Sequence, residues 1–346
     1  MWELLDVPIV QAPLSGGPST PALAAAVSEA GALGFLATGY KTAQDVEADI
    51  AAVREQTQRP FGVNVFARPA TTTAEPYEDF VAGLAAEADR SGVALGEPRF
   101  SDDDYDAKLD VLSRTAPAVA SFTFGCPTAW EIAALKGVGS NVWVTVTTPA
   151  EAIAARDAGA DALVVQGAEA GGHRGAFIDT HEREDIGLLA LIALVQAQVD
   201  LPLVAAGGIM TGAGIAAVVA AGAKAAALGT AFMRCPEAGT SEPHRKALQT
   251  GHRTDLTRAF TGRAARGIVN RWQAEHSPQA PIAYPQIHYV TAPVRAHARQ
   301  HGDADSINLW AGQAHALGRE RPAAELIDEL MTEARAARDQ LNGGAW

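Results

Sequence analysis

Short apolar runs alternate with longer amphipathic segments from residue 7 to residue 228 of the chain. The runs show no alternation of apolar and polar positions, which is typical of strands buried on both faces of a parallel sheet. They span residues 7–11, 32–37, 61–66, 118–123, 141–146, 162–166, 203–206 and 225–228. The pattern therefore predicts eight buried strands.

The segments between the runs have helical spacing and enough length for the crossovers that parallel strands require. The predicted helices span residues 19–30, 43–56, 77–91, 128–136, 149–158, 183–198 and 211–221. Gly31, Gly159 and Gly222 each follow one of these helices, and glycine ends a helix readily because it adopts the left-handed conformation. Eight strand–helix steps predict an α/β fold, a (β/α)8 TIM barrel over residues 1–233. The alternative is an open α/β sheet, which usually has fewer strands.

The pattern changes after the eighth predicted strand. Residues 235–244 have a loop-like composition, residues 245–249 fit a short helix, and residues 253–293 mix Gly, Pro, Trp and Tyr without clean periodicity. We therefore expect an added, partly helical lobe near the active site, over residues 234–308.

A final amphipathic helix is predicted at residues 323–341, where Ala, Glu, Leu and Arg recur at helical spacing. We expect this C-terminal segment, residues 309–346, to pack back on the barrel.

The composition is that of a globular protein. Of 346 residues, 48% are hydrophobic and 19% are charged, which excludes the low hydrophobicity and high charge of disordered chains. The 27 basic and 40 acidic side chains give a net charge of −13. This charge argues against nucleic acid or an anionic membrane as the main partner.

The cellular setting is predicted from what the sequence lacks. No apolar stretch reaches the ~20 residues that a membrane-spanning helix needs, and the start has no export-signal pattern. Cys126 and Cys235 are too few for a disulfide framework and belong to no spaced set of metal ligands. We expect a cytoplasmic protein without a bound metal.

Small and polar residues follow the predicted strands, and in a (β/α)8 barrel the active site lies at these carboxyl ends. Gly207 and Gly208 follow the seventh strand, and Gly229 and Thr230 follow the eighth. Backbone N–H groups at such turns can face an anion, so these residues indicate a phosphorylated ligand. The alternative is that the glycines only permit tight chain reversal. No dinucleotide-binding fingerprint or P-loop sequence is present.

His173 is the one histidine in a glycine-rich loop at a strand's carboxyl end. Imidazole titrates near neutral pH, so His173 is the candidate general base, the alternative being an exposed histidine without a role. Its neighbour Arg174 could hold an anion or be solvated. Cys126 has no basic partner in the sequence, so packing is the expected role for it, and the same holds for Cys235.

Several of these segments resemble nitronate monooxygenases, formerly called 2-nitropropane dioxygenases. They are residues 11–17, 61–66, 121–125, 166–175, 206–209, 227–232 and 309–313. The block Gln-Gly-Ala-Glu-Ala-Gly-Gly-His-Arg-Gly at residues 166–175 is the most specific. The sequence departs from the family where Leu14 replaces a common Met and where Cys126 follows the Phe-Gly pair.

The resemblance implies an FMN-dependent oxidoreductase that oxidises alkyl nitronates, and nitroalkanes as a further class, with O2 to carbonyl compounds and nitrite. It implies His173 as the catalytic residue. It also implies FMN contacts from Pro13, Leu14, Asn64, Gln166, Gly172, Gly207, Gly208, Gly229, Thr230 and Gln313. A homodimer is left open. Tyr40, Phe124 and Trp310 would either wall an apolar substrate pocket or belong to the core.

Three alternatives share parts of this pattern. Related FMN barrels use NADH or NADPH to reduce enoyl thioesters or quinones. A flavin-free barrel could be an isomerase or aldolase for sugar phosphates. A non-catalytic protein could bind FMN without turning over a nitronate.

Overall fold

The computed structural model describes residues 2–68 and 74–343, and its strands follow the predicted runs closely. The strands are β1 (Ile9–Gln11), β2 (Gly34–Ala37), β3 (Phe61–Phe66), β4 (Val119–Thr123), β5 (Asn141–Val146), β6 (Ala162–Gln166), β7 (Gly172–His173), β8 (Leu203–Ala206), β9 (Ala225–Leu228), β10 (Thr254–Thr257) and β11 (Ala265–Ile268). All eight predicted strands are confirmed.

The eight predicted strands are β1–β6, β8 and β9. They form one parallel sheet in the order β1-β9-β8-β6-β5-β4-β3-β2. The two ends of the sheet meet beside β2, where the N–H of Gln11 donates to the carbonyl of Leu33 at 2.9 Å and the N–H of Leu33 donates to the carbonyl of Ile9 at 3.0 Å. The TIM-barrel prediction is therefore confirmed, and the open-sheet alternative is wrong.

Helices occur between the strands of the barrel, in the lobe that follows β9 and at the C-terminal end of the described chain. They are α1 (Pro21–Glu29), α2 (Ala43–Gln56), α3 (Glu78–Gly83), α4 (Ala85–Ser91), α5 (Tyr105–Thr115), α6 (Ala129–Gly137), α7 (Pro149–Ala158), α8 (Leu188–Gln196), α9 (Gly212–Ala220), α10 (Glu242–Ala247), α11 (Arg271–His276), α12 (Gln286–Gln300) and α13 (Ala323–Gly343). Gly31, Gly159 and Gly222 follow α1, α7 and α9 with φ of +82°, +99° and +103°, as predicted.

Two predicted helices of the barrel differ from the structure, and one helix of the barrel was not predicted. Residues 77–91 form two short helices, α3 and α4, and α8 begins at Leu188 rather than at residue 183. Helix α5 escaped prediction because Lys108 occupies a fully buried position on its inner face. A lysine there removes the apolar spacing from which a helix is recognised.

The added lobe packs over the carboxyl ends of the barrel strands. It contains the antiparallel sheet β10-β11-β7, in which Ala265 of β11 pairs with His173 of β7. Residues 235–244 are not all loop, because α10 begins at Glu242. Helix α12 was also missed, since Pro293 lies inside it and the buried face includes Thr291 and Arg295 as well as apolar residues.

The lobe shares its core with the segment between β3 and α5. Phe80 and Leu84 pack in one cluster with Phe260, Trp272 and Ile287. The division into residues 1–233, 234–308 and 309–346 stays a prediction.

Helix α13 packs against α9 and α1 through its apolar face. Leu326, Ile327 and Leu330 are buried in the main barrel core, and the Glu333 carboxylate accepts a hydrogen bond from the N–H of Gly212 at the start of α9 (2.8 Å). Within residues 2–68 and 74–343, no helix has the length and apolar character needed to cross a membrane.

Candidate active site

A cavity of about 520 Å³ lies at the carboxyl ends of the barrel strands, under the lobe, in the range typical of ligand sites. Predicted site residues that line it are Pro13, Leu14, Asn64, Gln166, Gly172, His173, Gly207, Gly208, Gly229 and Thr230. The exception is Gln313, which is exposed and whose N–H donates to the carbonyl of Glu169 (3.0 Å). Its neighbours Gly312 and Ala314 do line the cavity.

The turn after β8 requires glycine for two reasons. Gly207 and Gly208 have φ of +131° and +68°, where a side chain is strained. A Cβ on Gly208 would also lie 3.0 Å from the Cβ of Glu169, and one on Gly207 would lie 3.2 Å from the amide nitrogen of Ala170. The turn thus presents backbone, without side chains, to the cavity.

Gln166 is held in place at the end of β6 by the loop that follows it. Its Oε1 accepts hydrogen bonds from the N–H of Gly175 (2.8 Å) and from Arg174 (3.2 Å), and its Nε2 donates to the carbonyl of His173 (3.1 Å). The amide therefore couples the strand to the histidine loop.

His173 lies on β7 with one face towards the cavity. The edges and faces of Phe124, Tyr284 and Trp310 surround its ring, with centroids 5.6–5.9 Å away. Burial, followed by the charges of Arg263 and Arg295, lowers the pKa of His173 to about 3. The imidazole is therefore neutral at neutral pH.

Thr261 determines which nitrogen of His173 carries the proton. His173 Nε2 lies 2.9 Å from Thr261 Oγ1. The same hydroxyl lies 3.2 Å from the carbonyl of Arg263, to which it can donate its single proton, and we assign Nε2–H as the donor to Oγ1 on this arrangement. This assignment leaves Nδ1 as the nitrogen with a free lone pair.

Arg174 is not solvated, and the anion that it pairs with in the structure is the carboxylate of Asp185 at 3.8 Å. Its side chain is buried, and Nη1 donates to the carbonyl of Gly167 at 2.7 Å. It therefore fixes the loop that carries His173. Burial raises the pKa of the Cys126 thiol to about 11 and that of Cys235 to about 12, so both thiols are protonated at neutral pH, as expected for packing side chains.

Tyr40, Phe124 and Trp310 all line the cavity, so they form part of its wall. Tyr40 stacks on His288 of α12 with ring centroids 3.9 Å apart. Its backbone has φ +68°, and its N–H donates to the carboxylate of Asp103 (2.9 Å). The aromatic wall thus joins the barrel to the lobe.

A further group of lining residues comes from the lobe and escaped sequence analysis. The polar members are Ser241, His244, Thr261, His288, Arg295, Arg299 and Asn308. They lie in segments without clean periodicity, and no spacing in the sequence links them. The one feature of the sequence that could have indicated them is the i, i+4 spacing of Arg295 and Arg299, because helix α12 places residues at this spacing on one face.

The chain is similar to known proteins over nearly its whole length. A family model described as nitronate monooxygenase matches residues 1–333. A nitronate monooxygenase of Pseudomonas aeruginosa is 43% identical over 96% of this chain and 97% of its own. The crystal structure of a nitroalkane oxidase from Streptomyces ansochromogenes has a TM-score of 0.96 and 51% identity, covering 98% of this chain and 99% of that one. FabK from Thermotoga maritima has a TM-score of 0.75 and 25% identity, with coverage of 99% and 97%.

Proposed function

The chain belongs to the nitronate monooxygenase family, and from this membership we propose that it oxidises alkyl nitronates with O2 to carbonyl compounds and nitrite, using FMN. The observation that carries the proposal is that the glycine turns, Gln166 and His173 line the same cavity. The nitroalkane oxidase shares 51% identity with the chain and FabK only 25%, which does not favour the NAD(P)H-dependent alternative.

The residues present fit FMN. Because neither Gly207 nor Gly208 carries a side chain, the backbone there is open to a phosphate group. The residues that would hold the cofactor are Pro13, Leu14, Asn64, Gln166, Gly172, Gly207, Gly208, Gly229 and Thr230, with Gln313 through its adjoining backbone. Bound FMN would supply acceptance of electrons from the nitronate and reaction with O2.

His173 would act on neutral nitroalkanes, whose carbon-bound proton must be removed before oxidation. Its neutral imidazole, with Nε2–H directed to Thr261, offers Nδ1 as the proton acceptor. A nitronate has already lost this proton, so it needs no base. The aromatic side chains around His173 would exclude water and bind a small alkyl group.

Anaerobic mixing of the flavin-loaded protein with ethyl nitronate, and separately with NADPH, tests the proposal. We expect the nitronate to bleach the flavin absorbance and NADPH to leave it unchanged over the same period. With O2 present, nitrite and acetaldehyde should form in equal amounts. Bleaching by NADPH alone would overturn the proposal in favour of the reductase alternative.

A further inference from the structure

Two arginines of α12 face the cavity one turn apart. Arg295 is 4% exposed, and it donates to Thr291 Oγ1 (2.9 Å), the carbonyl of His288 (2.8 Å) and Asn308 Oδ1 (3.2 Å). Arg299 donates to the same Asn308 oxygen at 2.6 Å. One amide oxygen thus holds two guanidinium groups together at the cavity wall.

Neither guanidinium has a counterion among residues 2–68 and 74–343. Within the residues that the structure describes, no carboxylate lies within ion-pair distance of Arg295 or Arg299, and no Asp or Glu lines the cavity. Burial, followed by the charge of Arg299, lowers the pKa of Arg295 to about 9, so it remains protonated at neutral pH. Buried charges are costly unless they are paired.

The positive charge of the two arginines lowers the pKa values of three histidines that line the cavity. The arginines contribute, after burial, to the lowered pKa values of His173, His244 and His288. With these three histidines neutral, the pair supplies the cationic character of the cavity in a protein whose net charge is −13. A cavity of this kind favours an anion.

We propose that Arg295, Arg299 and Asn308 form an oxyanion-binding subsite, and that it holds a negatively charged pair of oxygens of the substrate. The inference rests on the proposed function. The two oxygens belong either to the reacting nitronate group or to a second acidic group on the same molecule. Both are planar or near-planar oxyanions that a guanidinium binds through two parallel hydrogen bonds.

The glycine turn after β8, which would face the flavin phosphate, is linked to a different strand end from Arg295. Arg295 bonds to His288, which stacks on Tyr40 after β2. In the barrel order, β1 and β9 lie between β2 and β8, and the glycine turn suited to the phosphate follows β8. Arg295 and the β8 turn are thus linked to strand ends that two other strands separate, whereas Gly229 and Thr230, after β9, lie between them. The FMN content of each variant is therefore measured as well.

Two substitutions remove positive charge from the subsite in different ways. Arg299→Met deletes one of the two guanidinium groups. Asn308→Asp keeps both groups and places a carboxylate between them. Asn308→Asp supplies the missing counterion, so its thermal midpoint should equal or exceed that of the wild type. Arg338→Met is the control, because Arg338 is exposed on α13 and its loss makes the same change in net charge.

Calorimetry measures the binding of acetate, an oxyanion that does not react. Steady-state kinetics are measured for two substrates, propyl nitronate and its analogue that carries a terminal carboxylate. Loss of a charge-assisted hydrogen bond should weaken acetate binding and raise KM by about 10- to 100-fold in both subsite variants, with kcat changed much less. The control should match the wild type. Equal effects on both nitronates identify the reacting group as the occupant, and an effect on the carboxylated nitronate alone identifies the second acidic group.

Acetate affinity and KM values within twofold of the wild type in both variants would overturn the inference. So would loss of FMN from the variants with unchanged KM after reloading, since the pair would then bind the flavin phosphate. A wild-type protein that oxidises neither nitronate disproves the proposed function, whereas acetate binding still reports on the subsite independently.

Discussion

At the scale of single residues, the chemistry of the site depends on how His173 is held. Its ring is neutral because it is enclosed by aromatic side chains and lies near Arg263 and Arg295. Its proton is assigned to Nε2 on the arrangement in which the hydroxyl of Thr261 donates to the carbonyl of Arg263 and accepts from the imidazole. Both conditions favour a proton acceptor over a cationic binding group.

The first residue-scale prediction concerns His173→Asn. Turnover of neutral nitroethane should fall by ~10²–10⁴-fold, the usual contribution of a general base, whereas turnover of ethyl nitronate should fall much less. Steady-state rates with the two substrates measure the difference. Equal losses on both substrates would show that His173 acts in binding, and no loss on either would disprove its assignment.

The second concerns Thr261, a positioning residue. Thr261→Val keeps the shape of the side chain but removes the acceptor for Nε2–H, so nitroethane turnover should fall by about tenfold, the value of one hydrogen bond. Thr261→Ser retains the hydroxyl and should restore the rate and its pH profile. If serine and valine behave alike, the hydroxyl does not direct the tautomer.

At the scale of elements, the turn between β8 and α9 and helix α12 contribute different groups to the cavity. The turn offers backbone because glycine is enforced by positive φ and by close contact with Glu169 and Ala170. Helix α12 offers side chains, and it is positioned by Ile287, Val290 and Val294 in the core of the lobe. Each element thus contributes what its local packing permits.

The turn can be tested with a matched pair of substitutions. Gly208→Asp and Gly208→Asn add side chains of nearly equal size at φ +68°, which both residues tolerate better than most. Only the aspartate adds a negative charge beside the expected phosphate. The Gly208→Asp protein should therefore purify with much less FMN than the Gly208→Asn protein. Flavin absorbance per protein measures the content. Equal FMN content in the two variants would contradict the phosphate assignment.

At the scale of the whole molecule, the site exists only where barrel and lobe meet. The barrel contributes the glycine turns and Gln166, and the lobe contributes Thr261 and the arginine pair. Enclosure between them keeps several histidines neutral. Burial is the main cause that lowers the pKa of His173 to about 3, of His244 to about 4 and of His288 to about 2, from 6.5.

These shifts predict how stability depends on pH. Between pH 6.5 and about 4 the unfolded chain binds protons on these histidines, whereas the folded chain does not. The free energy of unfolding is therefore highest above pH 6.5 and decreases as the pH falls. His244→Gln can keep a hydrogen bond to the carbonyl of Trp310 but cannot titrate. Thermal midpoints from pH 7 to pH 4 should therefore decline less steeply in this variant, and an identical decline would contradict the pKa assignment.

Local patterns in the sequence determined the barrel and the part of the site attached to it. Buried parallel strands appear as continuous apolar runs, and their carboxyl ends must share one face, which placed Asn64, Gln166, His173 and the glycine pairs around one cavity. Tertiary structure decided the rest. Lys108 and Arg295 are buried where helical periodicity leads one to expect apolar residues, so α5 and α12 were not recognised. The contacts of His173 with Thr261, and of Arg295 with Asn308, join residues distant in sequence, and only the docking of the lobe brings them together.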